Sequence, residues 1–338
     1  MDGTSRGAAG SRAPTGREGR NGHLFQWGAG ATHITGGVGS KIMVSKQEQA
    51  AVDAVDVSPK DASTVILIRD ATPELAGGGI EVFLLRRVKG MAFAGGMTVF
   101  PGGGVDPSDA VADVQWAGPP VEWWAERFST DPARAKALVC AAVRETFEEC
   151  GVLLAGGSTD TVVADTSHYA QARIALERRE LSFGEFLARE ELVLRADLLR
   201  PWANWITPIG EGRRYDTRFF VAAAPDGQIA DGATSEAEEV TWLSPAAALD
   251  AWKGGGSVLL PPTWSQLTAL QNFDSVAEVL AAEPEIPVIL PTLITDEETI
   301  RVEFPGQDGY YEAGPHPWSV RGRKRTPPGR AESAERSK

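Results

Sequence analysis

Arg144-Glu145-Thr146-Phe147-Glu148-Glu149-Cys150-Gly151-Val152 places three carboxylates at i, i+3 and i+4 near a helix end. Those positions share one helix face, where like charges destabilise by a few tenths of a kcal/mol. The C-terminal end of the helix dipole disfavours anions further. A chain that keeps this arrangement needs a compensating cation, and oxygen ligands of this kind suit Mg²⁺ or Mn²⁺. The helix itself is well delimited. Asp131-Pro132 supplies an N-cap and a first-turn proline, and Gly151 the residue just past the end. Val139, Val143, Phe147 and Cys150 make an apolar stripe at helical spacing, away from the glutamates. Taken alone, the helix also fits a solvated acidic face.

The residues upstream favour the metal site. Phe100-Pro101-Gly102-Gly103-Gly104-Val105-Asp106-Pro107-Ser108-Asp109 is a glycine-rich turn closing on acidic residues. Together with 144–152 it resembles the signature of the Nudix hydrolases. That signature runs glycine, five residues, an acid, seven residues, then Arg-Glu-x-x-Glu-Glu-x-Gly and an apolar residue. Gly103, Asp109 and Arg144 to Val152 occupy it, with Asp109 where Glu is usual and Thr146 in an apolar slot. Residues 110–143 stand where seven are usual, an insertion of about 27 residues. The resemblance implies an α/β/α Nudix sandwich, a mixed sheet between helices. It carries a long insertion at 110–133 and a helical C-terminal extension.

The insertion narrows the resemblance. A Phe-Pro-Gly-Gly turn, a Trp-containing insertion and Arg-Glu-Thr-Phe-Glu-Glu are similar to the peroxisomal coenzyme A diphosphatase branch of mammals and its bacterial relatives. Leu84 to Arg87, Trp205 to Pro208 and Arg213 to Phe220 extend the likeness over residues 64 to about 272. Arg87 and Gly96 match the branch's upstream motif, while Ala92 stands where its second arginine would fall.

By resemblance, Glu145, Glu148 and Glu149 are metal ligands, Arg144 orients the first of them, and Glu145 or Glu149 takes a water's proton. Gly103, or Gly102 beside it, offers a backbone carbonyl. A further carboxylate six residues before a tryptophan falls at Glu236, ahead of Trp242; Glu239 and Glu211 are alternatives, and a solvated loop explains each equally well. Substrate phosphates need cations, because Arg forks match phosphate bidentately. Arg87, Arg213 and Arg214 are the foremost candidates, with Arg86 and Arg218 behind them. Arg87, by position, is expected to meet a coenzyme A 3′-phosphate. Trp116, Trp123 and Trp124 either roof the site or cover a small core of the insertion. His168 and His316 have no partner spacing that suggests a role.

The implied activity is metal-dependent hydrolysis of a phosphoanhydride in a nucleoside diphosphate linked to another group, with coenzyme A or acyl-CoA foremost. ADP-ribose or a dinucleotide is the alternative substrate, and a non-catalytic ligand-sensing module the alternative class. Retention of all three signature glutamates favours the enzyme.

Composition agrees. The 338-residue chain is 42% apolar and carries a formal charge of −13, concentrated between two basic ends. Residues 321–338 hold seven Lys/Arg against two Glu. An acidic body argues against a nucleic-acid groove. The partner expected is a small molecule, and a homodimer is compatible. Residues 1–45 and 321–338 read as disordered tails around a Nudix domain at 46–320, and Met43 is an alternative start. Cys140 and Cys150, both on the signature helix, fit a reducing cytoplasm, and no apolar run is long enough to span a membrane. Strands are expected at Thr64–Arg69, Ile80–Arg87, Val152–Leu154, Asn204–Thr207, Arg218–Ala224 and Val240–Leu243. Helices are expected at Val121–Phe128, at Leu181–Arg189, from Ser244-Pro245 to Trp252, and at Pro262–Ala282, the last breaking near Asn272-Phe273-Asp274.

Overall fold

Val65-Ile66-Leu67-Ile68 has no polar side because the strand that contains it, Lys60–Asp70, is covered on both faces. Val65 and Leu67 join one buried cluster with Val139, Val143 and Phe147 of the signature helix. Ile66 and Ile68 join another with Leu249, Trp252, Leu267 and Leu270 of the C-terminal helices. The neighbouring strand Tyr215–Ala223 divides the same way, Phe220 and Ala222 to one side, Phe219 and Val221 to the other. Period-two alternation thus sends alternate residues into two cores, the mark of a sheet between helical layers.

The computed structural model describes residues 57–71, 79–91, 93–295 and 300–313. Its main sheet has eight strands. Along the principal path the order is Ala237–Leu243, Ile80–Arg87, Lys60–Asp70, Tyr215–Ala223, Leu199–Ile206 and Val288–Ile289. Lys60–Asp70 runs parallel to Tyr215–Ala223 and antiparallel to Ile80–Arg87, so the sheet is mixed. The fold class is the α/β sandwich that the signature implied. The tails, Ala92, His316 and most of the Gly77–Gly79 turn lie outside the described residues. No helix among the described residues is long and apolar enough to cross a membrane.

The signature helix spans Pro132–Cys150 between the ends read from sequence. Asp131 Oδ1 accepts from the Arg134 N–H at 2.9 Å, and Gly151 closes the helix at φ +74°. The helix expected over Pro262–Ala282 divides at Asn272–Asp274 into Pro261–Leu270 and Val276–Ala281. Val152–Leu154 is not a strand. The Gln228 side chain takes a neighbouring strand's place there, accepting from Leu153 N–H at 2.8 Å and donating to Leu153 O at 3.0 Å. Helix Ala170–Glu177 and the short elements after Val288 had no clear sequence signal.

The insertion is built into the fold. Trp116–Ala117 pairs with Val193–Arg195, and helix Val121–Arg127 carries Trp124 into the main core. Trp124 is fully buried, with its ring 5.7 Å from that of Phe220 on the central sheet.

Replacing Gly151 by alanine tests the helix terminus. Its new Cβ would lie 2.7 Å from Nη1 of Arg173, in a left-handed conformation that already costs about 1 kcal/mol. Arg173 cannot withdraw freely, because it donates to Glu148 O and to Asp231. Gly151→Ala should therefore lower unfolding stability by about 1–3 kcal/mol in urea titration; an unchanged midpoint would refute this account.

Candidate active site

Three glycines let the chain pass close to the signature helix. Gly102–Gly104 pairs antiparallel with Ala62–Thr64 of the central strand. A Cβ on Gly102 would collide with the Ser63 carbonyl, and one on Gly103 would stand 2.5 Å from Oε2 of Glu145. The absence of side chains here brings backbone against carboxylate, and the Gly102 N–H donates to Oε2 of Glu149 at 2.7 Å.

The acidic face is buried rather than solvated. Glu148 is 8% exposed, Glu149 3% and Asp109 1%. Arg144, itself 7% exposed, holds the group together. Its Nη2 donates to Asp109 and to the Gly104 carbonyl, each at 2.9 Å. Its Nη1 donates to Glu145 at 2.8 Å and to Glu148 at 3.2 Å. Asp109 is fixed by a capping box at the start of helix Pro107–Val111: Asp106 N–H donates to Asp109 while Asp106 accepts from Ser108 N–H.

Arg87 forms the second node. It lies against Glu236 and donates to Glu149 at 3.4 Å. Glu236 is thereby brought to the cluster from the loop before strand Ala237–Leu243. Glu239 pairs instead with Arg86 at 2.6 Å. Arg173 caps the helix end, Nε donating to the Glu148 carbonyl at 3.0 Å, a cation where the dipole favours one. Its role had no motif to announce it.

Two guanidinium groups do not balance five carboxylates. Burial, with the nearby charges of Glu148 and Glu236, pushes Glu145 up to about 7 despite the opposing pull of Arg144. Burial and the neighbouring Glu145 carry Glu149 well above the usual carboxylate range. Both groups have been taken out of water without full compensation. Among the described residues, no three acidic, imidazole or thiol side chains converge into a finished metal cage. Arg144 and Arg87 draw the carboxylates toward themselves. A Mg²⁺ ion does not demand such a cage, since it keeps several waters and takes one or two carboxylates. The donor set, all carboxylate and backbone with an excess of negative charge, fits a hard divalent ion.

The cluster forms part of the wall of a cavity of about 950 Å³, near the upper end for small-molecule sites. One part is apolar, with Phe93, Met97, Trp205, Phe219, Pro261 and Val302. Arg213, Tyr215, Thr217 and Phe219 line it in alternation, while Arg214, Asp216 and Arg218 do not. The period of two accounts for the alternation within strand Tyr215–Ala223, and Arg213 and Arg214 lie just ahead of it. Arg214 is buried and donates to the carbonyls of Thr207 and Val57, at 3.0 and 2.9 Å. Arg218 is buried against Asp216. Trp116, Trp123 and Trp124 are absent from the lining, so they do not roof the cavity. His168 packs at a tilt against the ring of Tyr169.

Relatives bear on this geometry. The family model for the NUDT19 Nudix domain matches residues 125–270. A solved Nudix hydrolase from Alicyclobacillus acidocaldarius superposes with a TM-score of 0.56 at 25% identity, covering 68% of this chain and 99% of that one. In sequence and in fold the chain resembles the Nudix hydrolases. Within the superfamily it resembles the coenzyme A diphosphatase branch. It is 25% identical over 272 residues to the acyl-coenzyme A diphosphatase NUDT19 of Xenopus laevis, covering 69% of this chain and 72% of that protein. It is 27% identical over 269 residues to the Gallus gallus protein of the same name, covering 65% and 70%.

The Arg144–Asp109 pair is open to a stability test. Asp109→Ala removes a charge-assisted contact in a buried setting and the capping box with it. A loss of about 1.5–3 kcal/mol is expected in chemical denaturation. Stability within a few tenths of a kcal/mol of wild type would show that the pair does not hold this part of the fold.

Proposed function

We propose that this Nudix pyrophosphohydrolase cleaves the phosphoanhydride of coenzyme A or an acyl-CoA, using Mg²⁺ or Mn²⁺. The observation that carries the reading is the cavity itself, which joins a carboxylate cluster to an apolar wall within one space. A nucleoside diphosphate bonded to a long, partly apolar arm has matching chemistry. The names of the relatives support the same substrate class. Attack of water on one phosphorus would form a P–O bond and break the bridging P–O bond. The products are adenosine 3′,5′-bisphosphate and a phosphopantetheine or its acyl ester.

A bound divalent ion supplies charge neutralisation on the phosphates and acidifies a coordinated water. Glu145, Glu148, Glu149 and Glu236, with the Gly103 backbone, are the groups proposed to hold it. Arg144 acts by positioning: its fork restrains Glu145 and Glu148 so that both point into the cavity rather than to bulk solvent. Glu145 or Glu149 is proposed to take the water's proton, as the signature resemblance implies. Arg213, which lines the same cavity, is proposed to meet a substrate phosphate. For Arg87 we propose a different role from the one the resemblance implies. Its guanidinium is engaged by Glu149 and Glu236, so it serves the carboxylates instead of a 3′-phosphate.

Screening coenzyme A, acyl-CoA, ADP-ribose, NADH and diadenosine compounds with each metal, and identifying products, tests the substrate class. Preference for ADP-ribose or a dinucleotide over coenzyme A would replace it. Glu148→Gln and Glu149→Gln should each lower turnover at least about 100-fold, equivalent to roughly 2.7 kcal/mol, with the fold intact by circular dichroism. Wild-type rates in both would remove the proposed metal site. Arg87→Ala should depress kcat/KM alike for coenzyme A and dephospho-coenzyme A; a loss confined to coenzyme A would return Arg87 to the 3′-phosphate.

A further inference from the structure

Eight carboxylate side chains line the cavity against four guanidinium groups. Two of the four, Arg87 and Arg144, are already committed to carboxylates. A diphosphate entering this wall brings more negative charge, and its binding depends on the cations that remain. These are Arg213 and Arg179.

Arg179 lies just beyond helix Ala170–Glu177, in the left-handed conformation at φ +59°. Its N–H donates to the Leu176 carbonyl, and the Glu180 N–H to that of Ala175, each at 2.8 Å. This closes the helix in a form that usually employs glycine. Ser129 and Glu191 adopt the same conformation after other helices, so the backbone alone carries no function. What separates Arg179 from both is that it lines the cavity. Its side chain is 83% exposed, and its nearest carboxylate is Asp106 at 3.9 Å. Asp106 belongs to the capping box that fixes Asp109, and Asp109 holds Arg144. Arg179 therefore lines the same cavity as Glu145 and Glu148, with Asp106 at 3.9 Å as its one ion-pair partner among the described residues. A guanidinium so placed has free donors in the planar fork that matches phosphate oxygens.

We propose that Arg179 binds the reacting diphosphate of the substrate, a contact made at the rim of the carboxylate cluster. The proposal rests on the reading of this cavity as a phosphoanhydride site and adds a residue to it. The diphosphate is chosen over a more distant 3′-phosphate because Arg179 adjoins the residues that order Arg144. Arg178, its neighbour, is exposed and does not line the cavity. It provides a control in which one positive charge is lost from nearly the same place.

The test uses full-length wild type, Arg179→Ala, Arg179→Lys and Arg178→Ala. Steady-state kinetics on coenzyme A and dephospho-coenzyme A would be combined with calorimetric titration by ADP and Mg²⁺. Arg179→Ala should raise KM for both substrates by about 10- to 150-fold, the range for a lost charge-assisted contact. ADP affinity should fall by a similar factor, Arg179→Lys should recover part of it, and Arg178→Ala should stay within about threefold of wild type. Unchanged ADP affinity in Arg179→Ala, or an equal loss in Arg178→Ala, would overturn the proposal. So would a defect confined to coenzyme A, or a wild type that does not bind ADP. A wild type that hydrolyses no diphosphate, yet loses ADP affinity specifically in Arg179→Ala, would sink the hydrolase substrate reading and leave this contact standing.

Discussion

The fork of Arg144 is the contact on which the rest of the site depends. A buried guanidinium is expensive unless its donors are met, and here they meet Asp109, Glu145, Glu148 and the Gly104 carbonyl. The dependence runs both ways. Without Arg144 the glutamates on one helix face would repel each other into solvent. Without those carboxylates the arginine could not remain in the interior. Burial opposes its charge, but Glu145 and Asp109 outweigh that effect and hold its pKa above the ordinary range. The cluster is thus a solid floor for the cavity rather than a set of mobile surface acids.

The surplus of negative charge left by this arrangement has a direction. Arg144 and Arg87 restrain the carboxylates without neutralising them all, so the site retains an affinity for added positive charge. In a cavity closed on one side by Trp205, Phe219 and Val302, that charge is poorly screened. An acidic protein can accept an anionic substrate on these terms. The overall charge of −13 belongs to the whole chain, while the local field in the cavity depends on its own carboxylates and on a few guanidinium groups.

Much of this was legible in the sequence because the decisive features are local. The i, i+3, i+4 glutamates, the Asp131-Pro132 start and the Gly151 stop are all short-range signals. The two apolar strands announced burial by their lack of alternation. Position in the cavity was harder to read. Arg213 and Arg214 are adjacent and chemically identical, yet just ahead of strand Tyr215–Ala223 one lines the cavity wall and the other is buried. Arg87 matched a motif, but nothing local could show that Glu236, 149 residues later, would reach it. Arg179 and Arg173 escaped for the same reason, since their partners come from other segments. Val152–Leu154 looked like a strand because it is apolar and buried, and only the Gln228 amide reveals that its hydrogen bonds go elsewhere.

The long insertion shows how a signature can be split without loss of geometry. Lengthening the connection from seven to 34 residues costs only about 1.4 kcal/mol of closure entropy. Burial of one large side chain contributes about 1.5–3 kcal/mol, and the insertion sends Trp124 into the main core, with Phe128 packed behind it. Both ends of the split are also pinned independently. Asp109 is tied to Arg144 at one end. At the other, Arg134 pairs with Asp61 and Asp216 on two central strands, and the Ser63 hydroxyl donates to the Leu138 carbonyl at 2.6 Å. The glycine turn and the helix are therefore registered through the sheet and through ion pairs, of which Arg144–Asp109 is buried. The length of chain between them does not set the distance from Gly103 to Glu145.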